Sequence, residues 1–221
     1  MKLFFSAITK VTLGFLILAA LLLVSAGTLS YPAAWLFLAL LFVPMVIAGF
    51  ILLVKSPERL ARRLNAKEKM GDQKAVVALS GLLFIATFIL AGFDFRYGWS
   101  TLPKSVHIAA TILFLLSYGL YAEVIRENEF LSRTIGVEDG QKLVDTGLYG
   151  IIRHPMYLAT ITLFLSMPLL LGSFCGFLMM LLYIPVIIIR ISGEEKLLKK
   201  ELPGYCEYCE KVRYRLLPFI F

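Results

Sequence analysis

Two short polar segments contain most of the side chains of this chain that could do chemistry. The first reads KLVDTGLYGIIRHPMYLA over residues 142–159, and the second begins RISGEEKLL at Arg190. Pro155 suits the first turn of a helix, so Arg153 and His154 precede a helix N-terminus. Free N–H groups beside a basic pair bind anions, and the first segment therefore predicts an anion site. The simpler interpretation is that Arg153 extends to lipid headgroups and His154 caps the helix.

The second segment is marked by the acidic pair Glu194 and Glu195, close to Arg190. Carboxylates accept hydrogen bonds from ammonium groups and sugar hydroxyls, so this pair could hold a polar ligand. Two simpler interpretations stand beside it. Glu195 and Lys199 could form an i,i+4 ion pair on an amphipathic helix, or the acids could neutralise neighbouring basic residues.

Several other chemistries lack the residues that they need. The CEYC run at 206–209 has no second cysteine pair, and the two histidines are His107 and His154, which disfavours a zinc site. The motifs GxSxG and HExxH, a Walker loop, and GxGxxG followed by strand and helix are all missing, which excludes a Rossmann-type enzyme. The apolar stretches contain no charged residue, which argues against an ion-coupled transporter.

The elements that must position these segments are membrane-spanning helices. Of the 221 residues, 59% are hydrophobic and 17% are charged, where about 25% is usual in a soluble domain. Asp, Glu, Lys and Arg are missing from four stretches, residues 11–54, 75–93, 105–122 and 155–189. Because a spanning helix needs about 20 residues, the first stretch predicts two helices with a break at 27–32. The second and third stretches predict one helix each.

The fourth stretch, 155–189, fits either one overlong helix or a hairpin that turns near 168–173. Lys and Arg favour the cytoplasmic side of a membrane. A hairpin with both termini cytoplasmic places 20 of the 22 basic residues on that side, whereas a single crossing places 13. The outer rim would then carry the aromatic residues Tyr31, Trp35, Tyr97 and Trp99. We therefore predict an all-α integral membrane protein of about six transmembrane segments, the last two a short helical hairpin, with a cytoplasmic cofactor site.

The chain divides into two regions on this interpretation. Residues 1–125 form a four-helix transmembrane region with a cytoplasmic loop at 55–74, and residues 126–221 carry the polar motifs, the hairpin and a cytoplasmic tail. The loop predicts a short interfacial helix with Ser56 as N-cap and Pro57 in the first turn. The net charge of +7 lies on one side of the spans, which suits lipid headgroups rather than nucleic acid.

Together the two polar segments resemble the isoprenylcysteine carboxyl methyltransferase family, whose wider group includes phospholipid N-methyltransferases. The resemblance covers residues 126–221 and lies in the combination of RHPMY, then EE, then PGYCEYCEKVRYRLLP. Ala159 stands where the family usually has glycine. Related sterol reductases carry an HPxY-like motif, so RHPMY alone does not fix the reaction, although their long signatures are not evident in this chain.

The resemblance implies S-adenosylmethionine as methyl donor, bound at the cytoplasmic ends of the last helices. Carried over residue by residue, it places this cofactor against Gln141, Leu143, Tyr149, His154, Tyr157, Glu194 and Glu195. The chemistry of these side chains is suitable. Carboxylates accept from ammonium or ribose hydroxyls, a histidine at a helix N-terminus holds a carboxylate, and tyrosine rings suit adenine and the sulfonium cation.

The resemblance also implies a lipid-like or prenylated acceptor that enters from the bilayer, with methyl esterification of an isoprenylcysteine carboxylate as the closest activity. Arg126 and Arg153 are the predicted catalytic residues, because a guanidinium can steer a carboxylate. The alternative is N-methylation of an amine phospholipid headgroup, which needs a base, and Glu127 or Glu129 could serve. An alternative from another class is a non-catalytic membrane protein or small transporter that retains the fold.

Overall fold

The computed structural model describes residues 2–64, 71–131, 135–137 and 140–221. Within these ranges the chain forms nine α-helices and no strand. In order they are α1 (Lys2–Ala26), α2 (Pro32–Lys55), α3 (Pro57–Leu64), α4 (Gly71–Tyr97), α5 (Lys104–Glu127), α6 (Pro155–Leu170), α7 (Phe174–Leu181), α8 (Tyr183–Glu201) and α9 (Tyr205–Lys211). By length and composition, five spans in the described ranges could cross a membrane, with α7 and α8 counted as one, and α6 is a shorter apolar helix. The predicted all-α membrane bundle is confirmed.

The break between α1 and α2 falls where the sequence predicts it. Gly27 follows α1 with a φ of +68°, a left-handed conformation that glycine adopts without steric cost. Pro32 occupies the first turn of α2, where its missing N–H is not needed. Two helices therefore form from one uninterrupted apolar stretch.

Helices α6 and α7 form the predicted hairpin. α6 ends at Leu170, Gly172 takes a φ of +85°, and the hydroxyl of Ser173 accepts a hydrogen bond of 2.9 Å from the N–H of Gly176 to cap α7. The turn is held in part by His107 on α5, whose Nδ1 lies 3.2 Å from the carbonyl oxygen of Leu170. The prediction of a turn near residues 168–173 is confirmed.

Tyr31 does not belong to an exposed aromatic rim, which corrects the sequence prediction for this residue. Its side chain is 1% exposed, stacks on Phe95 with ring centroids 3.9 Å apart, and donates a hydrogen bond of 2.7 Å to the carbonyl oxygen of Leu171. The phenol is buried because it supplies the partner that this turn carbonyl needs. The other three aromatic residues of the predicted rim are exposed, namely Trp35, Tyr97 and Trp99.

A buried carboxylate also fastens the hairpin turn. Asp94, near the end of α4, is 2% exposed and accepts hydrogen bonds of 2.7 Å from both the N–H and the hydroxyl of Ser100. The hydroxyl of Ser173 donates a third bond to the same carboxylate. Polar groups of Tyr31 just before α2, of Asp94 on α4 and of His107 on α5 thus converge on one turn, at the end of the bundle opposite the polar motifs.

The polar motifs lie where α6 begins and α8 ends. α5 packs along α6 more extensively than any other described helix pair. An apolar cluster joins α6, α8 and the C-terminal segment, and it includes Tyr157, Tyr183, Ile187, Ile191 and Leu216. Helix association in lipid depends on such close packing and on hydrogen bonds rather than on the hydrophobic effect. This packing brings the N-terminus of α6 beside the polar end of α8.

Leu182 separates α7 from α8, because Pro185 has no N–H to bond the carbonyl of Leu181. α8 then continues without a break from its apolar start into the polar segment. Arg190 and Glu194 are one turn apart on it and share a face.

The predicted short helix is present as α3, with Pro57 in its first turn, while its position at the membrane surface stays a prediction. The N–H of Ser56 bonds the carbonyl of Leu52 and closes α2, and the ammonium of Lys10 donates to the carbonyl of Leu64 at 2.6 Å. The rest of the predicted helix, residues 65–70, lies outside the described residues. The side of the membrane on which the termini lie stays a prediction.

Candidate functional site

A pocket opens at the end of the bundle where α6 begins and α8 ends. Helix α9 and the segment before α6 close its other sides. Of the predicted site residues, those that line it are Gln141, Leu143, Tyr149, Arg153, His154, Tyr157 and Glu194. The fold therefore brings side chains from both polar segments to one place.

The centre of the pocket combines an acid, a phenol and a guanidinium. The hydroxyl of Tyr157 donates a hydrogen bond of 2.6 Å to Oε2 of Glu194. Arg190 lines the same pocket, and its guanidinium interacts with the hydroxyl of Tyr157. A carboxylate and a guanidinium on either side of a buried phenol can bind a cationic or hydroxyl group at one and an anionic group at the other.

Glu195 lies behind the residues that line the pocket and is not part of the lining. Its side chain is 3% exposed, and its Oε1 accepts a bond of 2.8 Å from Nε of Arg153 and lies 3.2 Å from Nε2 of His154. Its Oε2 accepts a bond of 3.1 Å from Nε of Arg215. The interpretation that an acid of this pair neutralises basic neighbours is confirmed for Glu195. Its predicted contact with the donor stays a prediction.

The Nη1 group of Arg153 is turned to the C-terminal segment. Its Nη1 donates to the carbonyl oxygens of Val212 at 3.0 Å and Arg213 at 3.2 Å. The backbone N–H groups of Arg153 and His154 bond the carbonyls of residues 214 and 215, each at 2.9 Å. The C-terminal segment therefore runs along Arg153 and His154 and takes up both backbone donors. The predicted anion site, which depends on the N–H groups of the helix that begins at Pro155, stays a prediction.

Three tyrosines form one wall of the pocket. The hydroxyl of Tyr208 donates a bond of 2.7 Å to the carbonyl of Tyr149, and the amide of Asn128 donates to the hydroxyl of Tyr149 at 3.1 Å. Burial raises the pKa of Tyr149 to about 12 and raises the pKa values of Tyr205 and Tyr208 above their ordinary value. All three phenols are therefore neutral at physiological pH and offer hydroxyl groups rather than charges.

Glu127 holds the 3₁₀ turn Gly147–Gly150, which carries Tyr149. Its carboxylate accepts the N–H of Leu148 at 2.9 Å. Gly147 has a φ of +57°, and a Cβ there would lie 1.8 Å from a carboxylate oxygen of Glu127. This close approach requires glycine and commits the carboxylate of Glu127 to the turn.

Arg126 and Glu129 lie on the surface rather than in the pocket lining. The side chain of Arg126 is 72% exposed and its Nε donates to Glu123 at 2.8 Å. Glu129 is 3.6 Å from a guanidinium nitrogen of Arg59. The catalytic role of Arg126 stays a prediction, and the structure does not bring this side chain to the other site residues.

Sequence reasoning missed several residues of this region. Among them are Arg190, Tyr205 and Tyr208 in the pocket lining and Arg215 beside Glu195. Two local signals point to the first three, namely the i,i+4 spacing of Arg190 and Glu194 and the two tyrosines of the PGYxxY motif. Within the described ranges, no cluster of three or more His, Cys, Asp or Glu side chains could hold a metal ion.

Comparison with known proteins finds two similarities that include this site. Residues 105–203, from the start of α5 to just beyond the end of α8, match the phospholipid methyltransferase family. The chain is also similar to the Delta(14)-sterol reductase TM7SF2 of Mus musculus, at 30% identity over 91 residues. That alignment covers 40% of this chain and 22% of the relative, so the similarity spans about a fifth of the relative's length. The family match supports the wider group of membrane methyltransferases that the two polar segments resemble.

Proposed function

We propose that this protein transfers a methyl group from S-adenosylmethionine to a lipid-like acceptor at the membrane. The observation that carries the proposal is the pocket in which Glu194, Tyr157 and Arg190 are neighbours. All three residues lie inside the region that matches the phospholipid methyltransferase family. That match supports methyl transfer as the reaction class and supports this donor.

The residues of the pocket fit S-adenosylmethionine. Glu194 would hold the ammonium group or ribose hydroxyls, and the rings of Tyr149 and Tyr157 suit adenine and the sulfonium. Leu143 and Leu198 supply apolar contact area in the lining. When bound, the donor supplies an electrophilic methyl group on a sulfonium.

The charges in the pocket favour an acceptor carboxylate over an amine. Arg190 is a guanidinium in the pocket lining and can bind and orient a carboxylate. Glu127 and Glu129, the bases that an amine acceptor was expected to use, are engaged with the 3₁₀ turn and with Arg59. An isoprenylcysteine-type carboxylate therefore fits the site better, with Arg190 in place of Arg126 as the residue that orients it.

N-methylation of an amine phospholipid is the second candidate, because the matching family is described as phospholipid methyltransferases. Within the described lining, Glu194 is the single carboxylate that could accept the proton of an amine. The two candidates therefore give Glu194 different roles. In the first candidate Glu194 binds the methyl donor, and in the second it either binds the methyl donor or acts as the base.

The test is methyl transfer from labelled S-adenosylmethionine to defined acceptors, with the purified protein in lipid vesicles. The panel contains a prenylcysteine with a free carboxylate, the same molecule as its amide, and phosphatidylethanolamine. We expect transfer to the free carboxylate alone, with label that alkali releases as methanol. Transfer to phosphatidylethanolamine alone would favour the second candidate.

A binding measurement separates methyl transfer from reduction, the reaction named for the sterol reductase relative. Calorimetry with S-adenosylhomocysteine should show binding, and a reduced nicotinamide dinucleotide should not compete. Binding of the dinucleotide without binding of S-adenosylhomocysteine would overturn the proposal.

A further inference from the structure

Tyr205, the first residue of α9, carries a buried hydroxyl that the described protein does not satisfy. The residue is 3% exposed, and among the described residues its hydroxyl oxygen has no hydrogen-bond partner. A buried hydroxyl without a partner is costly, and native proteins pair the large majority of such groups. Because Tyr205 lines the pocket, a ligand in the pocket could supply the missing partner.

The local fold places the phenol there. Gly204 takes a φ of +80° between the end of α8 and the start of α9, and this turn carries Tyr205 back over the pocket. The N–H of Tyr205 bonds the carbonyl of Leu202. The ring packs with Leu202 and Val212, so its position is set by apolar contacts rather than by the hydroxyl.

The charges around this phenol indicate what kind of group it binds. The carboxylate of Glu194 lines the same pocket, whereas that of Glu195 is paired with Arg153 and Arg215 behind it. A ligand carboxylate next to Glu194 would be repelled by that acid. A neutral hydroxyl group is not repelled, and it can both donate to a carboxylate and exchange a hydrogen bond with a phenol.

We propose that the hydroxyl of Tyr205 binds the ribose hydroxyls of the methyl donor, together with the carboxylate of Glu194. A vicinal diol offers two donors and two acceptors, whereas Glu194 offers acceptors alone and Tyr205 offers one donor and acceptor sites. One ribose hydroxyl donates to the acid, and the other bonds the phenol. This inference depends on the proposed function, because the donor's nucleoside is the source of the diol.

Tyr208 provides a matched control one turn further along α9. It is also buried and lines the pocket, but its hydroxyl donates to the carbonyl of Tyr149 at 2.7 Å. Tyr208→Phe therefore removes a bond of the free protein, whereas Tyr205→Phe removes a hydroxyl that makes none with the described residues. We expect Tyr208→Phe to lower the melting temperature of the free protein and Tyr205→Phe to leave it unchanged or raise it.

The deciding experiment is calorimetry of the purified full chain in vesicles with two ligands. One is S-adenosylhomocysteine, and the other is its analogue with both ribose hydroxyls replaced by hydrogen. The wild-type protein should prefer the first ligand, and Tyr205→Phe should reduce that preference by roughly three- to tenfold, the range of one neutral hydrogen bond. Affinity for the analogue should be the same in both proteins, and Tyr208→Phe should keep the wild-type preference.

Each outcome decides one of two questions. If the wild-type protein binds S-adenosylhomocysteine but Tyr205→Phe keeps the full preference, the proposed contact is overturned while the proposed function stands. If the wild-type protein binds neither ligand, both are overturned. Should Tyr205→Phe fail to fold, Tyr205→Leu gives the same comparison, because leucine keeps the apolar contact with Leu202.

Discussion

Arg153 and Glu195 form a buried ion pair, with 2.8 Å between Nε and Oε1 and side chains that are 8% and 3% exposed. The pair joins the segment just before α6 to the polar end of α8. Arg215 completes the cluster from the C-terminal segment at 3.0 Å. The carboxylate of Glu195 therefore holds together three parts of the chain that are distant in sequence, and it lies directly behind the pocket.

Removing that carboxylate should destabilise the protein. Glu195→Ala leaves the guanidinium of Arg153 buried without its partner, which typically costs about 3–5 kcal/mol. Denaturant unfolding of Glu195→Ala and Glu194→Ala compares two adjacent acids, of which the second should be much less damaging. Equal losses in both variants would contradict the assignment of Glu195 to the fold.

Glu194→Ala should instead weaken donor binding. The loss of one partner of a charged hydrogen bond costs about 1.5–3 kcal/mol, or roughly 10- to 150-fold in affinity. Titration with S-adenosylhomocysteine measures this effect, and the Cys206→Ser, Cys209→Ser double variant is the control, since neither cysteine lines the pocket. An unchanged affinity in Glu194→Ala would remove this acid from the site.

Arg190 and Arg126 compete for the role of orienting the acceptor. Misplacement of reacting atoms can cost about 100-fold in rate, so Arg190→Ala should lower methyl transfer to a prenylcysteine by about that factor. Lysine should rescue it in part, because it restores the charge without the planar fork. The rate of Arg126→Ala, measured in parallel, should fall much less. A larger loss of rate in Arg126→Ala than in Arg190→Ala would mean that Arg126 orients the acceptor.

Gly147→Ala should disturb the turn that carries Tyr149. The φ of +57° disfavours a side chain by about 1–2 kcal/mol, and the new Cβ would overlap the carboxylate of Glu127. Thermal unfolding should show a lower melting temperature. Gly119→Ala on α5 is the control, since no atom lies within 4 Å of its Cβ position. A Gly147→Ala protein as stable as the wild type would mean that Glu127 does not hold this turn.

The orientation of the chain can be measured with its own thiol. Cys206 is exposed beside the pocket, and the partition of basic residues predicts that this end is cytoplasmic. In a Cys175→Ser, Cys209→Ser protein, a membrane-impermeant maleimide should label inside-out vesicles and not right-side-out ones. Labelling of right-side-out vesicles alone would invert the topology.

The sequence by itself determined the spans, the break at Gly27 and the hairpin turn near Gly172. These features depend on local composition, because a run of about 20 uncharged apolar residues is stable in lipid only as a helix. It also determined which segments carry the polar groups, since RHPMY and EE are short contiguous motifs.

Only the tertiary structure decided which side chains of those motifs face the pocket. Glu194 and Glu195 are adjacent, yet a helix of 3.6 residues per turn rotates them about 100° apart, so one lines the pocket and the other is buried behind it. The rotation of α8 and the course of the C-terminal segment along Arg153 are set by packing between distant parts of the chain. No local pattern encodes that packing, and for this reason the sequence favoured Arg126 while the fold brought Arg190 and Tyr205 to the site.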